Sequence, residues 1–300
     1  MLKIAWSPIY AHPLPEGHRF PMEKYDLIPK QLIHEGAITE HNLFEPEPLD
    51  DETILLTHDA EYWQRMKHLE LTPKEMRKIG FPLSEELVQR EIIICKGTID
   101  CTVHAREYGV AMNVAGGTHH AFTGSGEGFC LLNDFAVAAN YLLKQNPAER
   151  ILIIDLDVHQ GNGTAQIFAG SKQVFCFSMH GKDNYPYKKE KSHLDIEVPT
   201  HTADAEYLAL LHTHLPKIIA DFAPTFAFYL SGVDILATDK LGKLSVSMQG
   251  CEQRDAYVFE TLKALGIPVV VSMGGGYSPR LSDVVNAHCN TFKQALRVYF

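Results

Sequence analysis

The chain has 300 residues, 45% of them apolar, enough for one large α/β domain or two small ones. A net charge of −10, from 27 basic against 37 acidic residues, disfavours a direct nucleic-acid partner and suits basic peptides or plain solubility. No apolar run has the length of a membrane helix, and the scattered cysteines (95, 101, 130, 176, 251 and 289) include no Cys-x-x-Cys pair, so neither a disulfide framework nor a thiolate zinc site is indicated and a reducing cytoplasm is the expected location.

Residues 2–6 read as a strand and lack the pattern of a signal peptide. A Pro- and Gly-rich loop with His18 and Arg19 leads into a helix over 22–34, whose apolar face is Leu27, Ile28, Leu32 and Ile33. Residues 42–49, with two prolines, are expected to be irregular. Helices follow over 59–71, briefly after Pro73, and over 84–107, the last opening on Ser84. A strand over 109–115 ends in Gly116-Gly117-Thr118-His119-His120, and a glycine-rich loop then carries Gly128-Phe129-Cys130. Asn133-Asp134 open an Ala-rich helix running to Leu143. Next come a strand over 150–158, a short helix over 164–169, a strand over 174–180, a loop with Asn184-Tyr185-Pro186, and an edge strand over 194–198. A helix over 204–221, a buried strand over 226–231 and Gly232-Val233-Asp234 follow. A helix over 248–265, a strand over 267–273, Gly274-Gly275-Gly276-Tyr277 and a last helix complete the chain.

Continuous apolar strands alternating with helices predict one doubly wound, mainly parallel α/β sheet covered on both faces, with no linker or repeat dividing residues 1–300. Four strand ends, near 117, 158, 233 and 275, carry Gly with His, Asp or Tyr. They are expected to meet along one rim, where such sheets place their ligands.

The most informative stretch is Ile151–Gly163. Alternation along its strand puts Asp155, Asp157 and His159 on one side, and three polar groups on one face of an apolar strand outweigh simple helix capping. Asp157, His159 and Asp234 are the candidate metal ligands, because two carboxylates and an imidazole leave a coordination position for water and a substrate carbonyl. Zn2+ is the default, and Fe2+ suits the same oxygen-rich set. Asp234, after a glycine turn, has helix capping as its alternative. Sixteen histidines raise the expectation of metal chemistry without locating it. His119 and His120 both face a site only if the chain turns at them, which the preceding glycines permit. Imidazoles beside an activated water serve as general base and then general acid. The Tyr277 hydroxyl suits an oxyanion donor. Gly274–Gly276 lacks the spacing and the lysine of a phosphate loop, so phosphate binding loses.

Taken in order, Gly116-Gly-Thr-His119-His120-Ala, Gly128-Phe129-Cys130, Asp155-Leu-Asp157-Val-His159-Gln-Gly-Asn162-Gly, Gly232-Val-Asp234 with Asp239, and Gly274-Gly-Gly-Tyr277 resemble the zinc-dependent histone deacetylase family. The Asp-x-Asp-x-His-Gln-Gly-Asn-Gly version looks closest to class IV and bacterial deacetylase-like members. The resemblance implies the arginase/deacetylase fold and hydrolysis of Nε-acyl-lysine, acetyl or longer, in a protein or peptide. It implies water activated between the metal and His120, Tyr277 on the acyl oxygen, and His119 backed by Asp155. Phe129 and Tyr185 would wall the acyl-lysine tunnel, the Gly128 carbonyl would meet the substrate amide, and Arg19 with Cys130 would belong to an inner pocket. A structural K+ ion on carbonyls near Asp155, Asp157, His159 and Ser178 is implied as well.

Asn162 stands where class I members have an aspartate behind the second histidine, and a neutral partner would not raise the pKa of His120. Leu241 stands where polyamine-selective relatives carry a glutamate, which argues against a cationic acetylpolyamine and for acyl-lysine or a longer acyl chain, while an acetylpolyamine or another small acetylated amine stays the alternative substrate. Two rivals stay open: a two-metal ureohydrolase, for which Gln160 and Asn162 replace wanted acids, and a non-catalytic acyl-lysine binder, which has no need of Tyr277 and both histidines. No membrane partner is expected.

Overall fold

The computed structural model describes residues 1–300. In chain order the elements are β1 (Lys3–Ala5), α1 (Lys24–His34), β2 (Leu43–Phe44), α2 (Asp51–Ile54), α3 (Ala60–Lys67), α4 (Pro73–Ile79), α5 (Glu85–Tyr108), β3 (Val110–Asn113) and α6 (Asp134–Gln145). They continue with β4 (Ile151–Asp155), α7 (Asn162–Ile167), β5 (Val174–Gly181), β6 (Leu194–Val198), α8 (Asp204–Phe222), β7 (Phe226–Leu230), α9 (Met248–Ala264), β8 (Val269–Ser272) and α10 (Leu281–Tyr299). The strands form one eight-stranded sheet in the order β2-β1-β3-β8-β7-β4-β5-β6, and every neighbouring pair is parallel. The mainly parallel sheet expected from sequence is therefore entirely parallel.

β3, β8, β7 and β4 are buried along their whole length, as strands covered on both faces must be. α5 packs on β1, β3, β8 and α6, while α10 packs on β3, α9 and α1, and α9 on α8. Burying one Ile, Val or Phe of these strands contributes about 1.5–3 kcal/mol, so this central layer is the main source of rigidity beneath the rim. Because the four strands are parallel neighbours, their carboxyl ends lie side by side. The rim expected from sequence follows from that order.

Local signals set several helix starts. Ser84 accepts a hydrogen bond from the Leu87 N–H at 3.1 Å to open α5, and Asn133 accepts one from Ala136 at 3.0 Å to open α6. Residues 42–49 are not wholly irregular: Leu43 and Phe44 pair with Ile4 and Ala5 as an edge strand before Pro46 and Pro48 stop the ladder. α2, capped by Asp50, was not expected; one turn is too short to show periodicity. β6 is the edge strand predicted. No helix is long and apolar enough to cross a membrane.

Candidate active site

β4 ends at Asp155, so Asp157 and His159 stand in the bend beyond the strand rather than in it. Strand alternation is not what aims them. Successive side-chain-to-backbone bonds fold the bend instead: Asp155 Oδ1 accepts the Asp157 N–H at 3.2 Å, and Asp157 Oδ1 accepts the His159 N–H at 2.9 Å. Asp234, two residues past a glycine after β7, reaches across, and its Oδ1 accepts the Val158 N–H at 2.9 Å. Asp157 Oδ2 takes the Gly275 N–H at 2.8 Å from the loop after β8.

The ligand atoms of Asp157, His159 and Asp234 lie within 4.8 Å of one another, and all three residues are buried. His159 Nδ1 is 3.0 Å from Asp157 Oδ1 and 3.1 Å from Asp234 Oδ2. Asp234 Oδ2 accepts no hydrogen bond although it is buried. Burial, and then the charge of Asp157, pushes the Asp234 carboxyl up to about 7. Two buried carboxylates beside one imidazole, one oxygen without a donor, fit a divalent cation. Gly275 belongs to this cradle, because a Cβ there would overlap Asp234 Oδ2 and crowd Asp157 Oδ2.

The chain does turn at the two histidines, and both enter the site with ring centroids 4.1 Å apart. His119 Nδ1 donates to Asp155 Oδ2 at 2.8 Å. Burial opposes the charged form of His119, and the Asp155 carboxylate more than offsets it, so its pKa lies above the ordinary value. His120 Nδ1 donates to Asn162 Oδ1 at 2.7 Å. Burial, then the neighbouring His119 and His159, holds the His120 pKa well below the usual range, so it is neutral at pH 7. Tyr277 lines the same cavity, and its backbone N–H donates to Asp239. Burial, then Asp234 and Asp157, raises the Tyr277 pKa well above the ordinary phenol, which keeps the hydroxyl a donor.

The outer cavity, about 350 Å³, is lined by Gly128, Phe129, Tyr185 and Leu241 as the resemblance implies. Gly128 (φ 55°) and Phe129 (φ 68°) both take left-handed backbone, a conformation costly for phenylalanine. The end of α4 holds them there, because Gly128 N–H donates to Lys78 O at 3.0 Å and Phe129 N–H to Ile79 O at 2.6 Å. Cys130 lines the inner cavity, with a thiol that burial pushes well above its ordinary pKa.

Arg19 is the exception. It lies at the outer mouth, its guanidinium 4.9 Å over the Phe129 ring, and does not line the inner cavity. The next residue, Phe20, turns inward and is buried, which leaves the charged group in solvent and avoids its desolvation. The arginine of the inner cavity is Arg90 on α5, 2% exposed. It is satisfied by the Tyr10 carbonyl at 2.9 Å and by Glu91. The signal for it was present: Arg90 and Glu91 fall between Leu87 and Ile94 on the helix stripe that otherwise reads as core. Also missed were Glu127, buried beside Asn162, and Lys24, whose Nζ donates to the Gly274 carbonyl at 2.8 Å. Burial lowers the Lys24 pKa to about 8.

The histone deacetylase domain family matches residues 18–292. The chain is 42% identical over 99% of its length to an uncharacterized protein of Picosynechococcus, covering 99% of that protein. It is 30% identical to histone deacetylase 2 of Arabidopsis thaliana, over 89% of this chain and 72% of the relative. Against the acetoin utilization protein AcuC of Staphylococcus aureus the identity is 25%, over 87% and 72% of the two chains. Among solved structures, an HDAC homolog from Aquifex aeolicus superposes with a TM-score of 0.84 at 25% identity, over 98% of this chain and 84% of that one. An HDAC homolog complexed with SAHA gives 0.85 at 25% identity, over 99% and 84%. The parallel sheet is thus the arginase/deacetylase arrangement, and the chain belongs to the histone deacetylase family of hydrolases acting on amides.

Proposed function

We propose that the protein removes acetyl or longer acyl groups from Nε-acyl-lysine side chains, with a zinc ion held by Asp157, His159 and Asp234. The observation that carries this reading is the convergence of those three donors, of which Asp157 and His159 line one cavity with His120 and Tyr277. A bound divalent ion supplies Lewis acidity to the amide carbonyl and lowers the pKa of water to about 7. His120, neutral, takes the water proton on Nε2. The Tyr277 hydroxyl donates to the oxygen that becomes negative as the tetrahedral intermediate forms. His119, its proton favoured by Asp155, delivers a proton to the departing amine. Leu241 at the cavity mouth supports an acyl-lysine over an acetylpolyamine, because an apolar side chain there offers a polycation no partner. The carbonyls around Asp155, Asp157, His159 and Ser178 are the proposed seat of a K+ ion, where β4 and β5 pair Asp155 with Ser178. All six cysteines are free and buried, which supports a reducing cytoplasmic setting.

Deacylation of acetyl-lysine peptides, abolished by a chelator and restored by Zn2+ or by Fe2+, tests the reading and names the metal. Turnover of N-acetylated polyamines above that of the peptides would overturn the substrate assignment. Tight binding of acyl-lysine without turnover in the metal-loaded protein would overturn the enzyme assignment.

A further inference from the structure

We infer that Glu127 is a positioning residue: through the amide of Asn162 it holds His120 in the tautomer protonated on Nδ1, with the bare Nε2 turned to the substrate. The inference deepens the deacylase reading and rests on His120 as the base.

An asparagine behind a catalytic histidine is ambiguous in a way an aspartate is not. A carboxylate only accepts, so it forces the adjacent imidazole nitrogen to carry the proton. A carboxamide accepts at one end and donates at the other, so a half-turn about its terminal bond would offer His120 an N–H and select the opposite tautomer. That tautomer has its proton on Nε2 and cannot serve as a base toward the cavity. His120 Nδ1 lies 2.7 Å from Asn162 Oδ1, so the amide must be held with its oxygen inward.

Glu127 supplies the constraint. It is 4% exposed, and its Oε1 accepts from Asn162 Nδ2. A carboxylate cannot donate, so only the NH2 end of Asn162 can face it. The other oxygen of Glu127 is 2.5 Å from Lys78 Nζ, at the end of α4 beside the cavity mouth. Burial opposes the ionised form of Glu127, but Lys78, Tyr185 and Asn162 more than offset this, and its pKa lies below the ordinary value. The polarity therefore converges on Glu127: Lys78 and Asn162 both donate to its carboxylate, and His120 Nδ1 donates to the Asn162 oxygen that this leaves facing inward. Asn162 passes on the orientation without setting a full negative charge against the imidazole. His120 thus gains a fixed tautomer without the raised pKa that a direct carboxylate partner confers, as Asp155 does for His119.

The test uses the zinc-loaded full chain with 15N-labelled histidine, and its primary readout is which ring nitrogen of His120 bears the proton. Wild type should show Nδ1–H. Glu127→Gln keeps the shape but can present either end of its own amide, so it should yield a mixture or the Nε2–H form. The variant's kcat should fall in proportion to the lost Nδ1–H population, about tenfold where that form becomes one part in ten, with KM little changed. Adding Asn162→Asp to Glu127→Gln puts an acceptor directly on Nδ1 and should restore both the tautomer and kcat. If Glu127→Gln does not fold, Lys78→Met removes only a half-exposed cation and should shift the tautomer the same way to a smaller extent. An unchanged Nδ1–H signal in Glu127→Gln, or in Lys78→Met where that variant stands in, overturns the inference whatever the activity. Undiminished kcat in His120→Ala would instead overturn the assignment of the base, and the tautomer measurement would still decide the role of Glu127.

Discussion

Arg254 Nη1 donates to the Gly232 carbonyl at 2.6 Å from a position with no solvent exposure. The same guanidinium reaches Leu156 O and Ser231 O, each at 3.3 Å, and pairs with Asp255 at 2.8 Å. Leu156 precedes Asp157, and Ser231 and Gly232 lead to Asp234. One side chain of α9 therefore ties together the two backbone segments that carry the proposed metal ligands. Asp255 is held in turn by the Tyr229 hydroxyl and by Thr291 Oγ1. Arg254→Met should lower the unfolding free energy by about 3–5 kcal/mol, because Asp255 keeps its charge without a cation. It should also weaken metal affinity by about 10–100-fold, the usual cost of losing a group that orients ligands. Urea unfolding and metal titration of the same variant check both, and wild-type affinity would show that the two loops hold their places without the clamp.

Gly275→Ala should fold and fail to hold metal. Its Cβ would stand where Asp234 Oδ2 does, so the carboxylate must swing away, while β8 beneath stays packed. Circular dichroism should be retained and metal per chain should drop, measured by elemental analysis after dialysis. Full metal content would mean that the loop moves instead of the ligand.

Tyr277→Phe removes one hydroxyl and leaves the ring packed against Phe20 and Phe129, with centroids at 6.0 and 6.1 Å. The loss should fall on kcat, by about 10²–10³-fold, as for other oxyanion donors. Steady-state kinetics on an acetyl-lysine peptide decide this, and an effect confined to KM would assign Tyr277 to binding alone.

His58 gives acid sensitivity away from the site. Its Nε2 accepts the Asn133 N–H at 3.0 Å, and its Nδ1 donates to the Phe122 carbonyl at 3.1 Å, so the neutral ring is saturated. Burial lowers its pKa from 6.5 to about 4. Between those values the unfolded chain binds a proton that the folded chain refuses. The stability His58 contributes is complete above pH 6.5, falls as pH drops towards 4, and amounts to about 3 kcal/mol over that window. Urea midpoints at pH 7.5, 6 and 5 should decline more steeply for wild type than for His58→Gln. Equal slopes would place the acid sensitivity elsewhere.

Residue type and local pattern carried a great deal. Apolar runs such as Phe226–Leu230 and Val269–Ser272 declared buried parallel strands, because only strands covered on both faces lack polar alternation. Asp157, His159, Asp234, His119, His120 and Tyr277 could be named because polar residues beside glycines at the ends of such strands are chemically out of place. Glu127 carried no comparable mark, and the one Arg90 carried, a charged pair on an apolar helix stripe, did not say what it faces. Each sits in a segment that reads as loop or helix, and each acquires meaning only from a partner elsewhere: Asn162 for Glu127, the Tyr10 carbonyl for Arg90.

Arg19 shows the converse, since the family resemblance implied an inner pocket for it and the structure leaves it at the mouth with Phe20 buried beside it. Local sequence determined the strand and helix types, the glycine turns and the chemistry available at the rim, because propensity and side-chain chemistry are properties of neighbouring residues. Only the tertiary structure decided the order β3-β8-β7-β4, the orientation of Asn162 and the choice of arginine behind the site. Those depend on which buried polar group finds its partner across the sheet, and a polar group's need for a partner does not say where in the chain that partner lies.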